Sequence, residues 1–366
     1  MAVPASIRIE WDRAARLSAW PAIAMHQAPA ATRAHPGPGA NASNANVPSA
    51  PAPMKIARRR EGTSASATCA SLYFVSMSDL IADLSHNALL SVSGDDAAAF
   101  LHGQFTNDVQ ALAVGEAQWN GWCSPKGRLL ATFLLVRRAD EFLMLLPAEL
   151  AAPIAKRLAM FVLRSKVKVR DVSELYARRG IIGARAEPKP MRVLEKDGAI
   201  VVGLEPGRFI LLSPPTAAPA ANTPADAWDL ATIRAGVPTI TAATQEAFVP
   251  QMANFELVGG VSFKKGCYPG QEIVARTQYR GILKRRMALA HVEGPDRPQP
   301  GQSVYSGAFG EQAAGTIVNA APTPEGGFDA LVVAQVESLQ RGDLRWKSPD
   351  GPRLEVRSHP PLAAAS

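Results

Sequence analysis

A chain of 366 residues is long for one hydrophobic core, so two or three packed domains are expected. Its 47% hydrophobic content is ordinary for a globular protein, and the longest apolar run, Leu129–Val136, stops at Arg137-Arg138, far short of the roughly 20 residues that span a bilayer, so no membrane segment is expected. The formal charge of +7 suggests a polyanion partner, but residues 1–77 carry +5 of it, through Arg8, Arg13, Arg16, Arg33, Lys55, Arg58, Arg59 and Arg60 against Glu10, Asp12 and Glu61, so strong direct binding of nucleic acid by the body is not expected.

Segment 1–76 is rich in Ala, Pro, Asn and Ser, buries too little to offset its ordering entropy, and is expected to be disordered. Its early charges, from Arg8 to Arg16, interrupt any signal-peptide core. A compact pattern begins at Met77-Ser78-Asp79, which makes Met77 an alternative start of translation. Three cysteines, at 69, 123 and 267, are too few for a disulfide framework, and a reducing cytoplasm fits. Without CxxC or a cysteine quartet the chain alone lacks the usual ligands of an iron–sulfur cluster.

In chain order, a strand at 88–92 leads to a helix capped by Ser93, with Asp96 completing a capping box. Three strand-like runs, 118–123, 128–136 and 142–146, make a meander, and a helix over 149–164 precedes a strand at 167–172. This is an α+β layer for residues 77–175. Residues 176–286 repeat the type: a strand at 180–183, a hairpin 199–204/208–212 across Glu-Pro-Gly, and a helix from Ala227 ended by Gly236 and Pro238. From 287 to 366, short strands between Pro and Gly clusters predict a small β-barrel or sandwich.

No GxGxxG, P-loop or GxSxG occurs, and histidines at 26, 35, 86, 102, 291 and 359 have no metal-ligand spacing, so no metal site is expected. The stretch KKGCYPGQEIVAR, residues 264–276, is more telling. Pro269-Gly270 turns the chain into a helix over 271–280, placing Cys267 near a helix N-terminus beside Lys264 and Lys265, where a thiolate is favoured. The thiol is then either a buried filler or a reactive group. Residues 264–286 hold seven cations against Glu272, read either as a solvated face or as an attractor for an anionic ligand of modest size. Trp228 is either core or a platform for a heterocycle.

Lys265, Gly266, Cys267, Tyr268, Gly270, Gln271 and Glu272 match the pattern K-G-C-[FY]-x-G-Q-E, and with the upstream IRAGVP run they make residues 78–356 resemble the bacterial folate-binding YgfZ family, relatives of the glycine-cleavage T-protein (aminomethyltransferase). The resemblance implies a three-domain ring around a central channel that binds tetrahydrofolate or a one-carbon derivative, with a C-terminal β-barrel. It further implies an accessory role in iron–sulfur cluster assembly or maintenance and in tRNA modification, with clients such as tRNA methylthiotransferase. Trp228 occupies the place of a folate-associated tryptophan, while Asn87 stands where the family has a second one. Arg234 replaces a glutamate suited to pterin N–H groups, leaving Glu272 as a substitute acceptor. By the same resemblance Tyr268 packs on the ligand's rings, Gln271 supplies a polar contact and Lys265 attracts the glutamate tail. Cys267 acts on a one-carbon unit, a transient cluster or a partner disulfide. Ala131 and Thr132 stand where T-protein has its acidic pair, which argues against aminomethyl transfer. A folate-dependent transferase or demethylase and an RNA-binding module remain as alternatives.

Overall fold

The computed structural model describes residues 76, 78–183, 188–280 and 283–360; the expected disordered segment 1–76 lies, apart from Ser76, outside them. The first strand, β1 (Leu80–Asp83), is followed by β2 (Asn87–Ser93), α1 (Ala97–His102), β3 (Glu116–Cys123), β4 (Leu129–Arg137), β5 (Glu141–Pro147), α2 (Ala148–Val162) and β6 (Lys168–Asp171). Strands β2 to β6 form an antiparallel sheet in the order β3-β4-β5-β2-β6. Its central strands are buried on both faces, and the period of two explains how. In β4, Ala131, Phe133 and Leu135 point to the core shared with α1 and α2. Leu134 and Val136 point the other way, into a core shared with the next sheet.

That next sheet contains β7 (Ala177–Ile182), β8 (Val193–Lys196), β9 (Ala199–Glu205) and β10 (Arg208–Ser213). Its order is β1-β7-β10-β9-β8, so the first strand of the 77–175 segment is built into the sheet of the 176–286 segment. Helix α3 (Ala225–Arg234) follows, then an irregular stretch to α4 (Gln271–Arg280). The third sheet comprises β11 (Arg285–Val292), β12 (Ser303–Tyr305), β13 (Gly315–Pro322), β14 (Phe328–Gln335), β15 (Arg345–Trp346) and β16 (Glu355–Ser358), with α5 (Val336–Arg341) after β14. Its order is β15-β12-β13-β14-β11-β16, and an Arg345↔Arg353 bridge ties the chain leading to one edge strand onto the other, curling the sheet. Helix α3 lies between the second and third sheets. Among the described residues no helix is long and apolar enough to cross a membrane.

One local expectation is corrected. Ser93 does not cap α1: it is the last residue of β2, held extended by pairing with Glu141 and Lys168. The helix starts at Ala97, and Asp96 at its N-cap makes no side-chain cap bond, its Oδ2 accepting instead from Lys166 N at 2.7 Å.

Candidate functional site

A cavity of about 580 Å³ opens where the three sheets and α3 meet. The first sheet contributes Asn87, Trp119, Thr132 and Leu134 among others; the second Leu204, Arg208 and Ile210; α3 Trp228, Asp229 and Thr232; the third Asn319 and Ala320; His86, Glu149, the stretch 237–241 and the loop 297–300 add to the wall.

Trp228 is only 6% exposed, so it offers the cavity an edge and no free face. Two neighbours hold it. Gly180 on β7 lies so close that an added Cβ would sit 2.4 Å from the indole, and the Arg208 guanidinium lies over the ring, 4.6 Å from its centroid. The expected stacking platform is thus a wall element. Its indole N–H has no hydrogen-bond partner among the described residues, and neither has the Asn87 amide side chain, so both can serve a ligand. Arg208 donates to Glu205 Oε1 at 3.0 Å, Ala231 O at 2.9 Å and Thr232 Oγ1 at 2.9 Å, and burial pushes its pKa down.

Thr132 lines the cavity, but its hydroxyl is engaged: it donates to Pro238 O at 2.8 Å and accepts from Ile240 N at 3.0 Å. Ala131 is fully buried. The cavity's carboxylates come from elsewhere. Glu149 Oε1 accepts from Ala242 N at 2.8 Å. Asp229 faces His86 Nε2 at 3.6 Å and Arg297 Nη2 at 4.0 Å. Burial raises its pKa, while His86 and Arg297 oppose the shift.

The 264–272 motif is not part of this wall. It packs on the β3–β4 turn: Gly270, at φ +80°, leaves no room for a Cβ, which would lie 2.4 Å from Ser124 O and 2.6 Å from Gly127. Lys265 is buried, its ammonium donating to His102 O and, at 2.7 Å, to Phe105 O, and lying 4.6 Å from the centroid of the Tyr268 ring. It therefore braces the end of α1 and cannot attract a glutamate tail in the cavity. Tyr268 is buried, with its hydroxyl pKa raised by that burial. Gln271 Nε2 donates to Lys265 O at 3.4 Å, and Glu272 is exposed on the first turn of α4. Cys267 is exposed, whereas Cys123 is buried and pushed up to about 12. Arg286, at the end of the basic stretch, is likewise internal, donating to Gln251 O at 2.8 Å and to Glu256.

Arg234 also lies outside the cavity wall: its Nε donates to Asp329 Oδ2 at 2.8 Å, tying α3 to β14. The structure thus brings Asn87 and Trp228 together, keeps Lys265, Cys267, Tyr268 and Gln271 as a separate cluster, and gives Arg234 an anchoring role. His86, Arg208, Asp229 and Arg297 have no motif of their own; adjacency of Asp229 to Trp228 was the one available signal.

Burial lowers the Lys265 pKa to about 8, with Asp108 and Cys267 opposing the shift. An unfolded lysine titrates near 10.4. Between those values the unfolded chain binds more protons, so stability from this group rises with pH. Urea unfolding from pH 7.5 to 10 should show wild type gaining stability relative to Lys265→Met; a flat difference would refute the shift.

Residues 65–197 match the family model of the GCVT N-terminal domain. The crystal structure of glycine cleavage system aminomethyltransferase T from Bartonella henselae is similar in fold, with a TM-score of 0.62, 15% identity, and coverage of 76% of this chain and 85% of that one. The tRNA-modifying protein YgfZ of Vibrio vulnificus (strain CMCP6) is 33% identical over 239 residues, 61% of this chain and 72% of that protein. Its namesake in Cronobacter sakazakii (strain ATCC BAA-894) is 30% identical over 281 residues, 70% of this chain and 84% of that protein. With identity of this order over most of a relative's length, on a T-protein-like fold, the chain belongs to the YgfZ family.

Proposed function

We propose that this chain has a YgfZ-type role in tRNA modification, exerted by binding tetrahydrofolate or a one-carbon derivative in the cavity between the three sheets. The observation that carries the reading is the cavity itself: at about 580 Å³ it falls within the roughly 300–1,000 Å³ of small-molecule sites, and its wall mixes apolar side chains with polar and charged ones. The indole N–H of Trp228 and the amide of Asn87 are polar groups left for the ligand. Lining residues drawn from all three sheets fit a T-protein-like ring around a central channel, with the curled third sheet as its C-terminal barrel.

The role is accessory. Neither Ala131 nor Thr132 can supply the carboxylate that methylene transfer needs at that place, and the Thr132 hydroxyl is held by backbone. Clients are iron–sulfur enzymes of the cytoplasm, such as tRNA methylthiotransferase. Cys267, exposed and apart from the cavity, would meet the client while the folate occupies the cavity.

Titration with 5-formyltetrahydrofolate, followed by tryptophan fluorescence, tests the reading. Saturable quenching in wild type, weakened in Trp228→Ala, is expected; no saturable change in wild type would refute it. In cells, Cys267→Ala should bind folate normally yet fail to restore methylthiolated tRNA.

A further inference from the structure

The folate reading leaves open which group recognises the heterocycle, because Arg234 and Glu272, the two residues considered for that task, both lie off the cavity wall. Two carboxylates line it, Glu149 and Asp229. Glu149 already accepts a backbone bond from Ala242 N. Asp229 receives no hydrogen bond from any described residue; its nearest cations, on His86 and Arg297, stand at 3.6 and 4.0 Å, beyond hydrogen-bond length.

Each oxygen thus faces a cation at ion-pair range but accepts no hydrogen bond, and the half-buried side chain keeps both able to accept from a ligand in the cavity. Its surroundings narrow the ligand. Asp229 is the next residue after Trp228 on α3. His86, at 3.6 Å, brings the adjacent Asn87 with its unengaged amide. One wall thus offers a two-oxygen acceptor, an indole N–H and an amide able both to donate and accept.

We propose that Asp229 recognises the donor edge of a fused 2-amino-4-oxopyrimidine, its two oxygens accepting from the ring N–H and the exocyclic amine. The inference rests on the folate reading and assigns the recognition residue within it. Adjacent parallel donors meeting a carboxylate form a bidentate pair, the geometry that makes such contacts selective.

The test compares 5-formyltetrahydrofolate with its 2-desamino-2-methyl analogue in wild type, Asp229→Asn and Asp226→Asn. Wild type should bind the analogue at least about tenfold more weakly, since a site built for a donor rejects a ligand lacking it. Asp229→Asn should bind the two ligands within about twofold of each other, whereas Asp226→Asn should keep the wild-type discrimination. Equal binding of both ligands by wild type, or discrimination surviving in Asp229→Asn, would overturn the assignment while leaving folate binding intact. Failure of wild type to bind either ligand would overturn both. If Asp229→Asn does not fold, Asp229→Ser carries the same comparison, with loss of discrimination expected and its survival overturning the assignment.

Discussion

Asp329→Ala is expected to destabilise the protein by on the order of 3 kcal/mol, the lower end of what loss of one member of a buried ion pair costs. Asp329 is 1% exposed on β14 and serves three partners: Arg234 Nε at 2.8 Å, His291 Nδ1 at 2.8 Å and Arg357 Nη1 at 3.5 Å. Arg234 and Arg357 retain access to solvent and can turn outward, which keeps the cost from the upper end. His291 is buried and keeps only Glu293, at 3.1 Å. The damage reaches the cavity because Arg234 fastens to β14 the helix that carries Trp228 and Asp229. Urea unfolding should therefore show the loss in stability, and folate affinity should fall with it. A variant within about 0.5 kcal/mol of wild type, the range of ordinary surface substitutions, would show that the ion-pair cluster does not hold α3 in place.

Gly270→Ala should cost more than a change of conformation alone explains. At φ +80° any side chain is strained, by roughly 1–2 kcal/mol. Here the added Cβ also meets backbone at 2.4–2.6 Å, and backbone of the β3–β4 turn cannot rotate aside. Overpacking adds about 1–3 kcal/mol, for a total of roughly 2–5 kcal/mol. Gly259→Ala separates the two contributions: φ there is +75°, but nothing lies within 4 Å of the added Cβ. Unfolding midpoints should show Gly270→Ala as the clearly worse variant, with Cys123, beside the affected turn, becoming reactive toward alkylating reagents. Equal midpoints would mean that the motif loop is not seated on the turn.

Much of the first sheet is legible in the sequence. Strands β4 and β5 and helix α2 are long, strongly apolar elements whose partners are neighbours in the chain, so periodicity and turn residues suffice. The strand β1 is not legible: four residues, LIAD, become a strand only by pairing with β7 far along the chain. Likewise β8 exposes most of its residues and α5 has only six, leaving little pattern for either.

The motif at 264–272 carries the resemblance to the family in the sequence, yet the structure puts its residues apart from the cavity. The basic stretch reads either as a solvated face or as an attractor of an anion, whereas Lys265 is inserted under the end of α1 to satisfy two carbonyls that no sequence pattern announces. Asp229 shows the opposite case. Asp229 belongs to no motif, and only the tertiary structure shows it lining an enclosed space beside His86 and the 297–300 loop. Arg234, at the end of α3, is tied to a buried carboxylate on the third sheet, a partner that its own stretch of sequence does not reveal.

The central claim is that the ligand sits between the three sheets and not at the cysteine motif. The most direct measurement is a crystal structure of the protein with 5-formyltetrahydrofolate. Density for the heterocycle is expected against Trp228 and Asp229, with Cys267 outside contact distance. Ligand density against Lys265, Cys267 and Tyr268, with the cavity between the sheets empty, would contradict it.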